Sequence, residues 1–174
     1  MMGKRNQKLL IILLVFILLF FLAACNRVSE LDAVYESEYY SVRYDSDWEK
    51  DDMEHLGILE AVTFYVEDNL EEFSIGIVVE DNVTVESGEY LSPEQLKMML
   101  PGFELKEKDS FVLDNQEGER IAYFSNINEG NIIFHQVAVV KDGLGYTLTF
   151  SVEENNEEQF YPLFKELLNS FSFK

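Results

Sequence analysis

Cysteine is nearly absent from this 174-residue chain, which has only Cys25. One thiol excludes a disulfide framework and a cysteine-built zinc site. Basic residues are scarce too, with 13 Lys and Arg against 33 Asp and Glu, a formal net charge of −20. Phosphates are repelled by that balance, so nucleic acid is excluded as a partner class. The same charge argues against a domain lying flat on an anionic bilayer. There are two histidines, three prolines and one tryptophan. No G-x-S-x-G nucleophile elbow occurs. Gly143-Leu144-Gly145 lacks the strand–loop–helix setting of a phosphate loop. Neither internal repeats nor low-complexity tracts are present.

The one long apolar run lies at the N-terminus. Lys4, Arg5 and Lys8 precede an unbroken apolar stretch of 14 residues, Leu9 to Leu22, and no acid occurs before Glu30. That is the layout of a cleavable export signal. A membrane-spanning helix needs about 20 apolar residues, and the run to Ala24 supplies 16. Leu22-Ala23-Ala24-Cys25 closes it and resembles the prolipoprotein lipobox. The resemblance implies diacylglycerol (palmitate-type acyl chains) on the Cys25 thiol, cleavage between Ala24 and Cys25, and a new amino group open to N-acylation. Two acyl chains anchor stably where one is marginal, because each buried CH₂ contributes ~0.8 kcal/mol. The competing reading is an uncleaved N-terminal anchor in which Cys25 is incidental. Both readings place the following domain on the extracytoplasmic face, with the basic end inside.

The expected organisation is a lipoprotein signal peptide over 1–24, a lipidated N-terminus and flexible linker over 25–37, and a single domain over 38–174. Cleavage leaves 150 residues, in which ten basic residues oppose 33 acids for a formal charge of −23. That length suffices for one real core. The charge supports solubility, and any protein partner is expected to present a basic surface. Asn82-Val83-Thr84 matches a glycosylation acceptor, which carries little weight in a bacterial lipoprotein.

Tyr40, Val42 and Tyr44 alternate with polar residues, as in a half-buried strand, and Asp45-Ser46-Asp47 reads as the turn after it. Val62, Phe64 and Val66 predict a second strand, and Phe73, Ile75, Ile77 and Val79 a third, joined through the acidic stretch 67–72. Ser92-Pro93-Glu94-Gln95 reads as a capping box, with Leu91 and Leu96 at staple positions. The helix it starts should stop near Leu100, before Pro101-Gly102. Strands are predicted at 105–113 and 120–125, connected by 114–119, and at 132–140 and 145–152, connected by 141–144 with an Asp-Gly turn. Phe160, Leu163, Phe164, Leu167, Leu168 and Phe171 share one helix face. Pro162 costs ~3 kcal/mol inside a helix, so the regular helix is expected to begin close to it. The fold class is therefore α+β: an antiparallel sheet of about six to seven strands packed by helices.

Tyr39-Tyr40-Ser41-Val42-Arg43-Tyr44 followed by Asp45-Ser46-Asp47-Trp48-Glu49 resembles the PsbP-like family. So does Gly143-Leu144-Gly145-Tyr146-Thr147-Leu148-Thr149-Phe150 leading to a final helix that ends Ser170-Phe171-Ser172-Phe173. The family includes the PsbP subunit of photosystem II, a Ran-binding nuclear import factor and many small bacterial lipoproteins. The resemblance covers residues 38–174 and departs at Asp45, where the family usually has proline. It implies an α/β/α sandwich and a non-catalytic accessory or binding role, and it carries over no catalytic motif.

Among candidate sites, Asp45, Asp47, Glu49, Asp51 and Asp52 form the densest acidic cluster. Such carboxylates suit a hard cation such as Ca²⁺ or make a solvated acidic turn. The EF-hand pattern fails, with Lys50 at its glycine position and Leu56 at its final glutamate. Glu153, Glu154, Glu157 and Glu158 suit a helix N-terminus. His55 and His135 have no third ligand at metal spacing. Trp48 reads either as a core plug or as the marker of a ligand pocket. No catalytic residue and no cofactor beyond the covalent lipid at Cys25 is expected. The leading functional expectation is a membrane-anchored accessory or binding module of an envelope protein assembly. Two alternatives stand beside it: a small-ligand or divalent-cation binding lipoprotein, and a hydrolase using two carboxylates.

Overall fold

A computed structural model describes residues 31–52, 58–66, 73–81, 83, 92–127 and 130–174. The signal segment, Cys25, His55, the 67–72 connection, Leu91, and Asn82 and Thr84 of the glycosylation match lie outside them. The described residues belong to one compact unit, Leu31–Lys174.

Ten strands and two α-helices are described: β1 (Ala33–Glu36), β2 (Tyr40–Tyr44), β3 (Glu49–Asp52), β4 (Ile58–Tyr65), β5 (Phe73–Glu80), α1 (Pro93–Met99), β6 (Glu104–Leu113), β7 (Gln116–Ile127), β8 (Gly130–Lys141), β9 (Leu144–Glu153), α2 (Glu157–Ser170) and β10 (Ser172–Phe173). Seven strands make one antiparallel sheet in the order β3-β4-β5-β9-β8-β7-β6, and three make a second sheet in the order β1-β2-β10.

Strict alternation explains the layering. Phe73, Ile75, Ile77 and Val79 of β5 stand opposite Val152, Phe150, Leu148 and Tyr146 of β9. All eight are buried, and Val137 and Val139 of β8 continue the surface. Onto this face pack Tyr40 and Val42 of the small sheet and the apolar face of α2, Leu163, Phe164, Leu167 and Leu168. Trp48 joins the same core, edge-on to Phe73 with centroids 5.3 Å apart, as a plug rather than a pocket wall. On the opposite face, Ile121, Tyr123 and Ala138 form a smaller cluster under Leu96 of α1, Leu100 at its C-cap and the neighbouring Phe103. Helices thus cover both faces of the large sheet, giving the expected α+β architecture with seven strands.

The start of α1 follows its capping sequence, with the Ser92 hydroxyl accepting from the Gln95 N–H at 3.5 Å. Elsewhere the elements depart from expectation. The stretch read as linker carries β1 from Ala33, and Leu31 is buried, because pairing with β2 satisfies its backbone. The connection expected over 114–119 contracts to Asp114-Asn115, two residues at positive φ (42° and 64°), and β7 begins at Gln116. Such a two-residue turn matches strand twist. The last helix begins at Glu157, not at Pro162, after a 3₁₀ turn over Glu154–Asn156. Pro162 faces solvent within it. Its ~3 kcal/mol cost is outweighed by the buried side chains of α2, each contributing roughly 1.5–3 kcal/mol. The helix stops at Ser170, so Ser172 and Phe173 pair with Ser41 and Tyr40 as a strand.

Candidate functional site

The charge-rich end of the large sheet is built by register. Asp114-Asn115 closes the β6–β7 hairpin and sets Asp109 opposite Arg120 and Glu107 opposite Ala122. Pairing of β7 with β8 then sets Ala122 opposite His135, and β9 sets Phe150 on its other side. Glu107, Asp109, Arg120 and His135 therefore share one face, at the place where α2 begins.

Arg120 is the hub. Its Nε and Nη2 donate to the two carboxylate oxygens of Asp109 at 3.0 and 2.8 Å, a bidentate fork. Nη2 also lies 3.1 Å from the Glu107 carboxylate, and Nη1 donates to the Tyr161 hydroxyl at 3.1 Å. The hydrogen bond to Asp109 holds the guanidinium charged even more firmly than usual. Tyr161, from the second turn of α2, stacks on the His135 ring at 4.1 Å between centroids. Glu157, the first residue of α2, meets His135 Nε2 at 2.7 Å. With Glu157 ionised, Nε2 carries the proton and donates, so the neutral ring keeps an Nδ1 lone pair. Nδ1 is buried and has no partner among the described residues. His135 is 6% exposed. Burial pushes its pKa down, and the hydrogen bond to Glu157 only partly opposes this. The neutral ring is accordingly favoured over the imidazolium.

Beside this network lies a cavity of about 470 Å³ lined by Lys106, Glu107, Ala122, Ile133, His135, Glu154 and Glu157. Its volume falls in the ~300–1,000 Å³ range of small-ligand pockets. Chemically it offers an apolar floor and carboxylate walls. The histidine is tied to a carboxylate, and no serine or threonine among the described residues lines the cavity.

The acidic cluster read from the sequence does not assemble here. Asp45 and Asp47 sit in the turn after β2, where Asp45 Oδ1 accepts from the Asp47 N–H at 2.9 Å. β3 then distributes the others, Glu49 and Asp51 on one face and Asp52 beside Lys50 on the other. Lys50 pairs with Asp52 at 3.0 Å. Among the described residues no three His, Cys, Asp or Glu side chains converge as a metal-ligand set. Glu154 and Glu157, expected only to favour the start of a helix, instead line the cavity, and Glu157 also holds His135. Arg120, Asp109, Glu107 and Tyr161 were not singled out by sequence reasoning. Counting back from a two-residue Asp114-Asn115 turn would have paired the first two.

A second polar group lies under the small sheet. Tyr35 donates to Glu60 at 3.0 Å, and Tyr40, fully buried, has no hydroxyl partner among the described residues. Burial and the Glu60 carboxylate push both phenols far up.

Residues 24–173 match the family model described as PsbP-like protein. The chain belongs to the PsbP-like family. Solved structures agree on the fold of this PsbP-like domain. The solution structure of cyanobacterial PsbP (CyanoP) from Synechocystis sp. PCC 6803 superposes with a TM-score of 0.61 at 15% identity, over 86% of this chain and 97% of that one. LpqN, involved in cell envelope biogenesis of Mycobacterium tuberculosis, gives a TM-score of 0.58 at 12% identity, over 78% of this chain and 83% of that one. No curated protein sequence matches the chain. Among the described residues of this PsbP-like chain, no helix is long and apolar enough to cross a membrane.

Proposed function

We propose that this chain is a lipid-anchored lipoprotein on the extracytoplasmic face of a bacterial membrane, acting without catalysis as a binding or accessory module of an envelope protein assembly. The observation that carries the reading is Leu22-Ala23-Ala24-Cys25 placed six residues before Leu31, the first described residue of a PsbP-like domain. Six extended residues span at most about 20 Å, so a lipid on Cys25 would hold the domain close to the bilayer. The described polar network supports binding over turnover. Arg120 is committed to Asp109, Glu107 and Tyr161, and the free nitrogen of His135, Nδ1, is buried out of reach of a solvent nucleophile. LpqN, of the same fold, is described as taking part in envelope biogenesis.

The test is metabolic labelling with a palmitate analogue and cell fractionation, with crosslinking in intact cells and pull-down through a C-terminal tag. The native chain should take up label, sit in the membrane fraction and recover a specific envelope protein. Cys25→Ala should lose the label. An unlabelled native chain, or equal membrane retention of Cys25→Ala, would sink the lipid anchor. No partner above background would sink the accessory role.

A further inference from the structure

The cavity beside His135 carries more charge than its neighbours neutralise. Three carboxylates line it, Glu107, Glu154 and Glu157, against one cation, Lys106. Lys106 is already paired with Glu104 at 3.3 Å, and Arg120 with Asp109 and Glu107. Each lining glutamate has one partnered oxygen: Glu107 to Arg120, Glu154 to Asn131 at 3.4 Å, Glu157 to His135. The side chains of Glu107 and Glu157 remain partly open to solvent, at 55% and 34% exposure. His135, 6% exposed and with Nδ1 unpartnered among the described residues, lines the same cavity. Between the carboxylates the floor is apolar, formed by Ala122 and Ile133.

We infer that this cavity receives a basic side chain, arginine or lysine, from a segment of the partner protein. The inference deepens the accessory reading above and rests on it for the partner's existence. Arginine and lysine carry an aliphatic stem and a cationic head. The stem matches the apolar Ala122 and Ile133, and the head matches the carboxylates of Glu107, Glu154 and Glu157 that line the same cavity. A bare metal ion matches less well, since no three ligand side chains converge among the described residues. Charge complementarity of this kind sets register and on-rate between partners.

The test uses the full chain in nonionic detergent with histidine ring labels. With only two histidines in the sequence, the His135 signal is assigned by comparison with His135→Gln. Three probes are titrated: a short arginine peptide, the same peptide with citrulline in place of arginine, and spermidine. The arginine peptide should shift the His135 ring saturably and the citrulline peptide should not. Glu154→Gln, on the exposed 3₁₀ turn, and the double variant with Glu107→Gln should weaken binding, the double roughly fivefold. Asp51→Asn, on the remote strand β3, should leave it unchanged. No shift with the arginine peptide overturns the inference, as does binding of spermidine without the peptide. Recovery of the same envelope partner in undiminished yield by Glu107→Gln/Glu154→Gln overturns the inference and leaves the accessory role standing. Peptide binding with no partner in cells overturns the accessory role alone.

Discussion

His135 is held between two opposed influences on its proton. Burial disfavours the imidazolium, while Glu157 at 2.7 Å favours it, and burial prevails. The ring should titrate below the usual histidine value of about 6.5. Replacing Glu157 by Gln removes the favourable influence, so the His135 pKa should fall further, as followed by ring-proton NMR. A rise in the Glu157→Gln variant would refute the pairing. The sign for stability follows from linkage. Below about 6.5 the unfolded chain takes up a proton that the native ring resists. The contribution of His135 is thus present above that pH and is lost as pH falls through the folded value. Denaturant melts from pH 7 to 5 should show a smaller loss in His135→Gln than in the native chain. How much of this environment the sequence discloses is a matter of counting. The Asp142-Gly143 turn is legible, and counting back from it places His135 opposite Phe150. Arg120 opposite Asp109 is hidden, because 114–119, five polar residues and a glycine, read as a loop although only two of them turn.

Among the elements, two glycines show different reasons for the same residue. Gly143 lies at φ +82° in the β8–β9 turn, and a Cβ there would meet nothing within 4 Å. Gly143→Ala should therefore cost about 1 kcal/mol through backbone conformation alone. Gly118 lies within β7, where a Cβ would come within 2.2 Å of the Ala138 carbonyl oxygen. Gly118→Ala must push β8 away, at a cost of about 1–3 kcal/mol. Urea denaturation of both variants checks the order, and Gly143→Ala as the costlier change would contradict it. The strongly periodic strands β2, β5 and β9 emerge from pattern alone, and α1 from its capping sequence. β1, β3 and β10 do not, because strands of two to four residues carry too few alternations. Their stability comes from partners distant in sequence. The two edges of the large sheet, β3 and β6, carry Lys50 with Asp51 and Asp52, and Lys106, Lys108 and Asp109, which discourage pairing with another sheet.

At the scale of the molecule, the chain is closed by its last residues. Phe173 packs edge-on to Tyr146 and Phe171 at 4.8 and 5.0 Å, and its N–H donates to Asp114 at 2.9 Å in the β6–β7 turn. Phe173→Ala should lower stability by about 3 kcal/mol, measured by thermal or urea melts, and a change within error would show that the terminus contributes nothing. This closure is not readable from local pattern, since it joins residues 41 and 172, and the order β5-β9-β8 is non-local in the same way. The placement of β2 between β1 and β10 also has a mechanical consequence. β1 begins opposite Tyr44 and β10 ends opposite Tyr40, both antiparallel to β2. The two ends of the domain therefore leave the small sheet from opposite ends of its central strand. A force applied between them acts along the strands and loads the ladder in shear, all its hydrogen bonds at once, instead of peeling them one by one. Resistance to such a pull is set by the unfolding rate, and a domain held at one end and gripped at the other is loaded along this axis.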